Sequence, residues 1–134
     1  RQDYSEEIVI FPHATSTSTG DQGEAEAWIN SIFGEGIRNG TIHLTAGKGR
    51  RGHSLGAAGM QTFTAGLHAI ITGWVPPTVN LETLDPKIAD LGYKMDNFVR
   101  TAKELLPRRV ITLAAGFGGR NAIAVIDRFD QRAA

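Results

Sequence analysis

Leu44-Thr-Ala-Gly-Lys-Gly-Arg-Arg-Gly-His-Ser-Leu-Gly-Ala-Ala-Gly59 is the stretch around which the rest of the chain can be read. It begins where a short β-branched segment, Thr41 to Thr45, predicts a strand. It ends inside a long apolar run, Leu55 to Val75, that predicts a helix over residues 55–73. Between them lies a glycine-rich turn holding Lys48 and His53. A strand, a flexible turn and a helix start together build a site. Glycine lets backbone approach a ligand closely, and the first helical turn offers unpaired N–H groups and a positive dipole end. A histidine held there is expected to be discouraged from becoming imidazolium. Its neutral ring can hydrogen-bond an oxygen that gains negative charge.

Two generic motifs overlap this stretch and fit poorly. Gly47-Lys-Gly-Arg-Arg-Gly52 has the glycine spacing of a dinucleotide-binding turn, but that fold places an acid about 20 residues on for the ribose. No acid lies between Gly52 and Glu82. The phosphate-cradling P-loop fares worse, with Ile42 where its first glycine belongs and Gly49 where Ser or Thr follows the lysine.

Composition narrows the classes. The 134 residues make one domain's worth of chain, expected over 1–134, able to bury roughly two-thirds of its unfolded surface. Fourteen basic and fourteen acidic residues cancel, leaving no electrostatic footprint for nucleic acid or an anionic membrane. No uninterrupted apolar run reaches about 18 residues and the charged N-terminus is no signal peptide. The expectation is a cytoplasmic protein without a membrane span. There is no cysteine, which excludes disulfides, thiolate metal ligands and a cysteine nucleophile from this chain.

In chain order, residues 1–7 are polar and predict a frayed end. Glu7-Ile-Val-Ile-Phe11 predicts a strand buried on both faces. It leads to His13-Ala-Thr-Ser-Thr-Ser-Thr-Gly20, a polar loop with hydroxyls beside an imidazole. Asp21 and Glu24 mark a helix start with an acidic first turn. Ala25, Trp28, Ile29, Ile32 and Phe33 form its apolar face, and Gly34-Glu-Gly36 stops it. The 55–73 helix carries Gly56, Gly59 and Gly66, which cost helix stability and predict close packing on several sides, hence a buried central helix. His43 and His68 have no partners at metal-ligand spacing and are read as structural. Val75-Pro-Pro-Thr-Val-Asn-Leu81 leaves the helix, residues 80–97 read as loop, and residues 98–106 as a short amphipathic helix ended by Pro107. Strands over 110–115 and 121–127 flank the turn Gly116-Phe-Gly-Gly119 as antiparallel neighbours.

Four motifs then stand in one order: His13-Ala-Thr-Ser-Thr, Gly20-Asp followed by Glu24, Lys48 with Gly-His53 and Gly-Ala-Ala-Gly59, and Gly116-Phe-Gly-Gly with Asn121. With Val75-Pro-Pro-Thr-Val-Asn-Leu81 they closely resemble the C-terminal part of β-ketoacyl-[acyl carrier protein] synthases, the elongating condensing enzymes of fatty-acid and polyketide synthesis. The resemblance runs from about Ile8 to Ile126. It implies an α/β, thiolase-like fold, C-terminal part only, with a mixed β-sheet packed on the central helix.

The same resemblance implies the roles of particular residues. His13 and His53 are the catalytic pair that flanks the malonyl thioester, helps expel its carboxylate and stabilises the enolate. Lys48 pairs with Glu24 and orders the histidines, and Asp21 belongs to that polar network. Thr15 and Thr17 bind the phosphopantetheine arm. Phe117 and Gly118 form the gating and oxyanion turn. No metal or resident cofactor is implied, since the substrates travel on phosphopantetheine. Acyl carrier protein is the implied partner, and the complete enzyme is implied to be a homodimer.

Departures also carry meaning. Ala115 stands where many relatives have phenylalanine, Arg120 where they have Thr or His, and Thr45-Ala-Gly-Lys48 replaces a Ser-Ser-Thr-Lys. The nucleophilic cysteine of the family lies in an N-terminal half, expected either upstream in the same polypeptide or in another chain. A thiolase would place a second cysteine near Ala114-Ala-Gly116, and this sequence has none. The alternative is a non-catalytic, chain-length-controlling partner subunit. Such subunits typically lose catalytic residues, whereas both histidines and Lys48 are retained here.

Overall fold

The computed structural model describes residues 7–129, so residues 1–6 of the frayed end expected over 1–7 lie outside the described residues, while the Glu7 carbonyl accepts from the Arg108 amide at 3.2 Å. Its centre is β1 (Ile8–Phe11), whose β-branched run is almost wholly buried. β1 pairs in parallel with β2 (Ile42–Leu44) on one side and with β5 (Arg109–Gly116) on the other. β5 turns back into β6 (Arg120–Asp127), antiparallel and in register from Arg109 opposite Asp127 to Gly116 opposite Arg120. The sheet order is β2-β1-β5-β6. The four expected strands are all present, and the sheet is mixed as expected.

Alternation along β1 sends its side chains into two different layers. Ile10, with Ile42, Leu44 and Ile111, packs under Ala25, Trp28 and Ile29. Val9 and Phe11, with Val110, pack under Ala69, Ile70 and Val75. One face therefore carries α1 (Ser18–Ile29) and α2 (Gly34–Asn39), and the other carries α4 (Ala58–Thr72), preceded by a 3₁₀ turn at Leu55–Ala57.

Several boundaries differ from the sequence reading for identifiable reasons. α1 starts at Ser18, three residues before Asp21, because Thr17 is its N-cap and Asp21 sits within the first turn. It stops at Ile29, where the Ser31 hydroxyl donates to the Trp28 carbonyl at 2.6 Å. Ile32 is thus 90% exposed instead of joining the apolar face. Gly34 does not simply end a helix. A Cβ there would lie 1.9 Å from the Ile29 carbonyl oxygen, so glycine permits the tight turn that begins α2.

The segment expected as a helix over 98–106 is extended. The Val99 amide donates to the Leu44 carbonyl at 2.9 Å, and Phe98 bridges Leu44 in parallel. β4 (Lys103–Glu104) pairs antiparallel with β3 (Trp74–Val75). The free edge of β2 claims the backbone at Phe98 and Val99, pairing with β3 and Gly73 seats Leu105, and the burial of Val99 and Leu105 outweighs the local amphipathic spacing. Within the expected loop, Asp85 caps the short α5 (Pro86–Asp90) by accepting from the Lys87 amide at 2.9 Å. A 3₁₀ turn follows at Met95–Asn97.

The central helix is buried on one side only. Ala58, Thr62, Gly66, Ala69 and Ile70 face the sheet, whereas Met60 and Ile71 are 68% and 70% exposed and Leu55 is 67% exposed. The outward side of the helix mixes apolar Met60, Leu67 and Ile71 with polar Thr64, His68 and Thr72, and the described residues supply a sheet for only one of its faces. Its glycines differ accordingly. A Cβ on Gly66 would lie 2.8 Å from Val110 Cγ1 and 2.9 Å from Thr112 Cγ2, and one on Gly59 3.0 Å from the Ala114 Cβ, while Gly56 has open space. Among the described residues no helix is long and apolar enough to cross a membrane, and no cluster of three His, Cys, Asp or Glu side chains could hold a metal.

These contacts set opposite expectations for two glycines. Gly66→Val should destabilise the fold by about 1–3 kcal/mol through overpacking against β5. Gly56→Ala should be neutral or stabilising by up to about 1 kcal/mol. Chemical denaturation midpoints of the two variants beside the parent give both signs.

Candidate functional site

Because β1 and β2 run parallel, their C-terminal ends deliver two loops to the same edge of the sheet. The first is the His13 loop after Phe11. The second runs from Thr45 through α3 (Lys48–Arg51) to His53. There the two imidazoles meet edge to face, with ring centroids 5.4 Å apart and planes at 82°. Forty residues separate them in sequence.

Hydrogen bonds set the ring orientations. Lys48 Nζ lies 3.4 Å from His13 Nδ1 and also donates to the His13 carbonyl oxygen. The Leu55 amide donates to His53 Nδ1 at 3.3 Å. In each ring Nδ1 is the acceptor, which leaves Nε2–H as the donor. Burial holds the His13 pKa below the ordinary imidazole value, and the charges of Lys48 and His53 push it the same way. Lys48 is itself lowered by burial and by Arg51, against the opposing pull of Glu24 and Asp21.

Glu24 anchors the His13 loop. Its carboxylate accepts from the His13 amide at 2.6 Å, the Ala14 amide at 2.8 Å and the Trp28 indole N–H at 3.3 Å. The loop needs such an anchor, since Ala14 (φ 38°) and Ser16 (φ 60°) both occupy the left-handed region. The expected direct pairing of Lys48 with Glu24 is replaced by a bridge through the His13 peptide. The carboxylate takes the peptide N–H and the ammonium takes the carbonyl, and the one ion pair within 4 Å among the described residues is Arg109 with Asp127.

The other expected residues lie around this centre. Asp21 accepts from the Ser16 amide at 3.2 Å, and burial raises its carboxyl pKa against the loop's backbone donors. Thr15 and Thr17 hydrogen-bond each other at 3.1 Å on the exposed side of the loop. Phe117 stands 98% exposed at the β5–β6 turn, followed by Gly118 (φ 77°) and Gly119 (φ 76°). The sequence reading missed Trp28 as a partner of Glu24, although a spacing of four on a helix would have indicated it. An open groove of about 790 Å³ is lined by His43, Asn80, Asp96 and Arg100 among others and includes neither His13 nor His53. The two imidazoles sit instead at an open sheet edge.

Residues 5–82 match the family model for the β-ketoacyl synthase C-terminal domain. The chain belongs to this family. It is 40% identical over 113 residues to a mitochondrial 3-oxoacyl-[acyl-carrier-protein] synthase of Arabidopsis thaliana, covering 84% of this chain and 23% of that protein. It is 37% identical over 114 residues to 3-oxoacyl-[acyl-carrier-protein] synthase 1 of Escherichia coli K12, covering 85% of this chain and 26% of that protein. Among solved structures, the ishigamide ketosynthase/chain length factor superposes with a TM-score of 0.79 at 28% identity, over 96% of this chain and 29% of that one. The chain thus has the thiolase-like mixed α/β fold, and it spans about a quarter of the length of these relatives.

Lys48→Met removes a like charge from beside His13, so the His13 titration should move up, as read by NMR of labelled histidine. Linkage gives a second sign. His13 binds its proton less readily folded than unfolded, so its share of stability is complete above the unfolded value of 6.5. That share declines as pH falls through 6.5 toward the lower folded value. Lys48→Met should flatten this acid loss in denaturation midpoints measured across pH.

Proposed function

We propose that this chain is the C-terminal catalytic part of a β-ketoacyl-[acyl carrier protein] synthase, which joins an acyl thioester to malonyl-carrier protein by decarboxylative Claisen condensation. The observation that carries this reading is the convergence of His13 and His53, both set as Nε2–H donors. Cleavage of the malonyl carboxylate–carbon bond releases carbon dioxide and leaves its electron pair on the thioester enolate. The two N–H donors face the developing enolate oxygen and lower the barrier electrostatically. The enolate carbon attacks the enzyme-held acyl thioester and expels the thiolate. Phe117 and Gly118 supply the turn that receives the acyl oxyanion, and Thr15 and Thr17 meet the phosphopantetheine arm.

The acyl group needs a cysteine thiolate, which this sequence lacks. The remaining part of a longer polypeptide, or a second chain, supplies it and covers the exposed side of α4 around Met60 and Ile71. Acyl carrier protein is the substrate carrier. One similar solved structure is described as a type II acyl-carrier protein in complex with its ketosynthase. The complete enzyme is read as a cytoplasmic homodimer. Retention of His13, His53 and Lys48 favours a catalytic part over a chain-length-controlling subunit.

In the complete synthase, His13→Ala should slow malonyl decarboxylation by roughly 10²–10⁴-fold while acyl loading onto the cysteine stays near the parent rate. Parallel assays of carbon dioxide release and acyl-enzyme formation check this, and equal loss of both would contradict the role given to His13. The 134-residue chain by itself should form no acyl-enzyme, and condensation by it alone would overturn the proposal.

A further inference from the structure

The segment Val75-Pro-Pro-Thr-Val-Asn-Leu81 is part of the motif set, yet none of its residues reaches the histidines. Its contacts converge on the Lys48 loop. The Thr45 hydroxyl donates to the Pro76 carbonyl at 2.5 Å, and the Ala46 amide donates to the Thr78 hydroxyl at 2.8 Å. The Asn80 carboxamide donates to the Gly49 carbonyl at 3.3 Å. A Cβ on Gly49 would lie 2.9 Å from the Val79 carbonyl oxygen, so the two backbones touch with no room for a side chain. Lys48 is therefore bracketed by attachments at Thr45, Ala46 and Gly49.

The segment is itself held firmly. Val75 is fully buried in β3, and the Thr78 amide donates to the Val99 carbonyl at 2.6 Å. The Val99 amide donates to Leu44, at the end of β2. Two consecutive prolines fix φ and need no hydrogen-bond partner for their nitrogens, so this stretch stays extended with little conformational freedom to lose. Asn80 sits at φ 63°, a conformation that asparagine tolerates better than most residues. A stiff, doubly anchored segment lies against a loop that has glycine on both sides of its lysine.

We infer that Pro76–Asn80 is a positioning strap for the Lys48 loop, in which Thr78 and Asn80 act through Lys48 to seat the His13 ring for decarboxylation. Neither residue touches the reacting groups, so both are positioning residues. The catalytic consequence rests on the function proposed above, whereas the geometric one does not. Without the strap, the Lys48 ammonium withdraws from His13 Nδ1 and from its carbonyl. The charged and titratable groups around that contact are His53, Glu24, Asp21 and Arg51, and the strap contributes none. Any change in His13 titration on altering the strap therefore reports movement of the loop.

The test uses the complete synthase with three substitutions. Thr78→Val keeps the β-branched shape and removes the hydroxyl, and Thr78→Ser keeps the hydroxyl. Asn80→Gly removes the carboxamide while suiting the left-handed backbone, and it carries the test if Thr78→Val does not fold. Thr78→Val and Asn80→Gly should each lower kcat for malonyl decarboxylation about ten- to a hundredfold, with KM within about twofold of the parent. The His13 NMR titration should move up in both. Thr78→Ser should match the parent in rate and titration. Loss of thermal stability with kcat and the His13 titration unchanged would make the segment a structural brace and overturn the inference. If His13→Ala leaves decarboxylation intact, the proposed function falls, and the His13 titration alone still decides for or against the strap.

Discussion

The carboxylate of Glu24, accepting the peptide N–H groups of His13 and Ala14, is the interaction on which the site depends. Charge-assisted bonds of this kind are among the stronger ones a side chain offers to backbone. They are spent on a loop whose Ala14 and Ser16 occupy costly left-handed conformations. With the N–H side of the His13 peptide held by Glu24, its carbonyl is presented to Lys48, and the ammonium comes to rest beside Nδ1. One carboxylate on α1 thereby fixes a backbone turn, a lysine and the tautomer of a ring. Trp28, one helical turn along and buried, donates to the same carboxylate from behind.

The sheet topology makes this possible. Parallel strands bring the ends of β1 and β2 together, so residues 40 apart in sequence share one edge, where loops rather than strands finish the structure. The same topology leaves α4 with a sheet on one side and Met60, Leu67 and Ile71 exposed among polar residues on the other. Under the function proposed above, that exposed face is where the remainder of the synthase packs.

Much of the architecture was legible from local pattern. Apolar runs gave β1 and β5, and the glycine turn at 116–119 gave the hairpin. The errors have physical causes. Residues 98–106 have helical spacing, but the unpaired edge of β2 draws Phe98 and Val99 into extended backbone, an influence from 55 residues away. Ile32 matches the periodicity of α1, yet Ser31 has already turned the chain outward. Gly56 and Gly66 look alike in sequence, and only the position of β5 separates a glycine that is required from one that is not. The histidine pair was not legible from spacing. It came from the family resemblance, and the expected Lys48–Glu24 pair proved to be two bonds to opposite sides of one peptide.

The most direct measurement is a crystal structure of the complete polypeptide trapped with an acyl group on its cysteine. His13 Nε2 and His53 Nε2 should both face the acylated sulfur across a space the size of a malonyl thioester, with Lys48 still on the His13 carbonyl. Imidazoles turned into separate cavities, or a cysteine reached by neither ring, would contradict the assignment of this edge of the sheet as a condensing site.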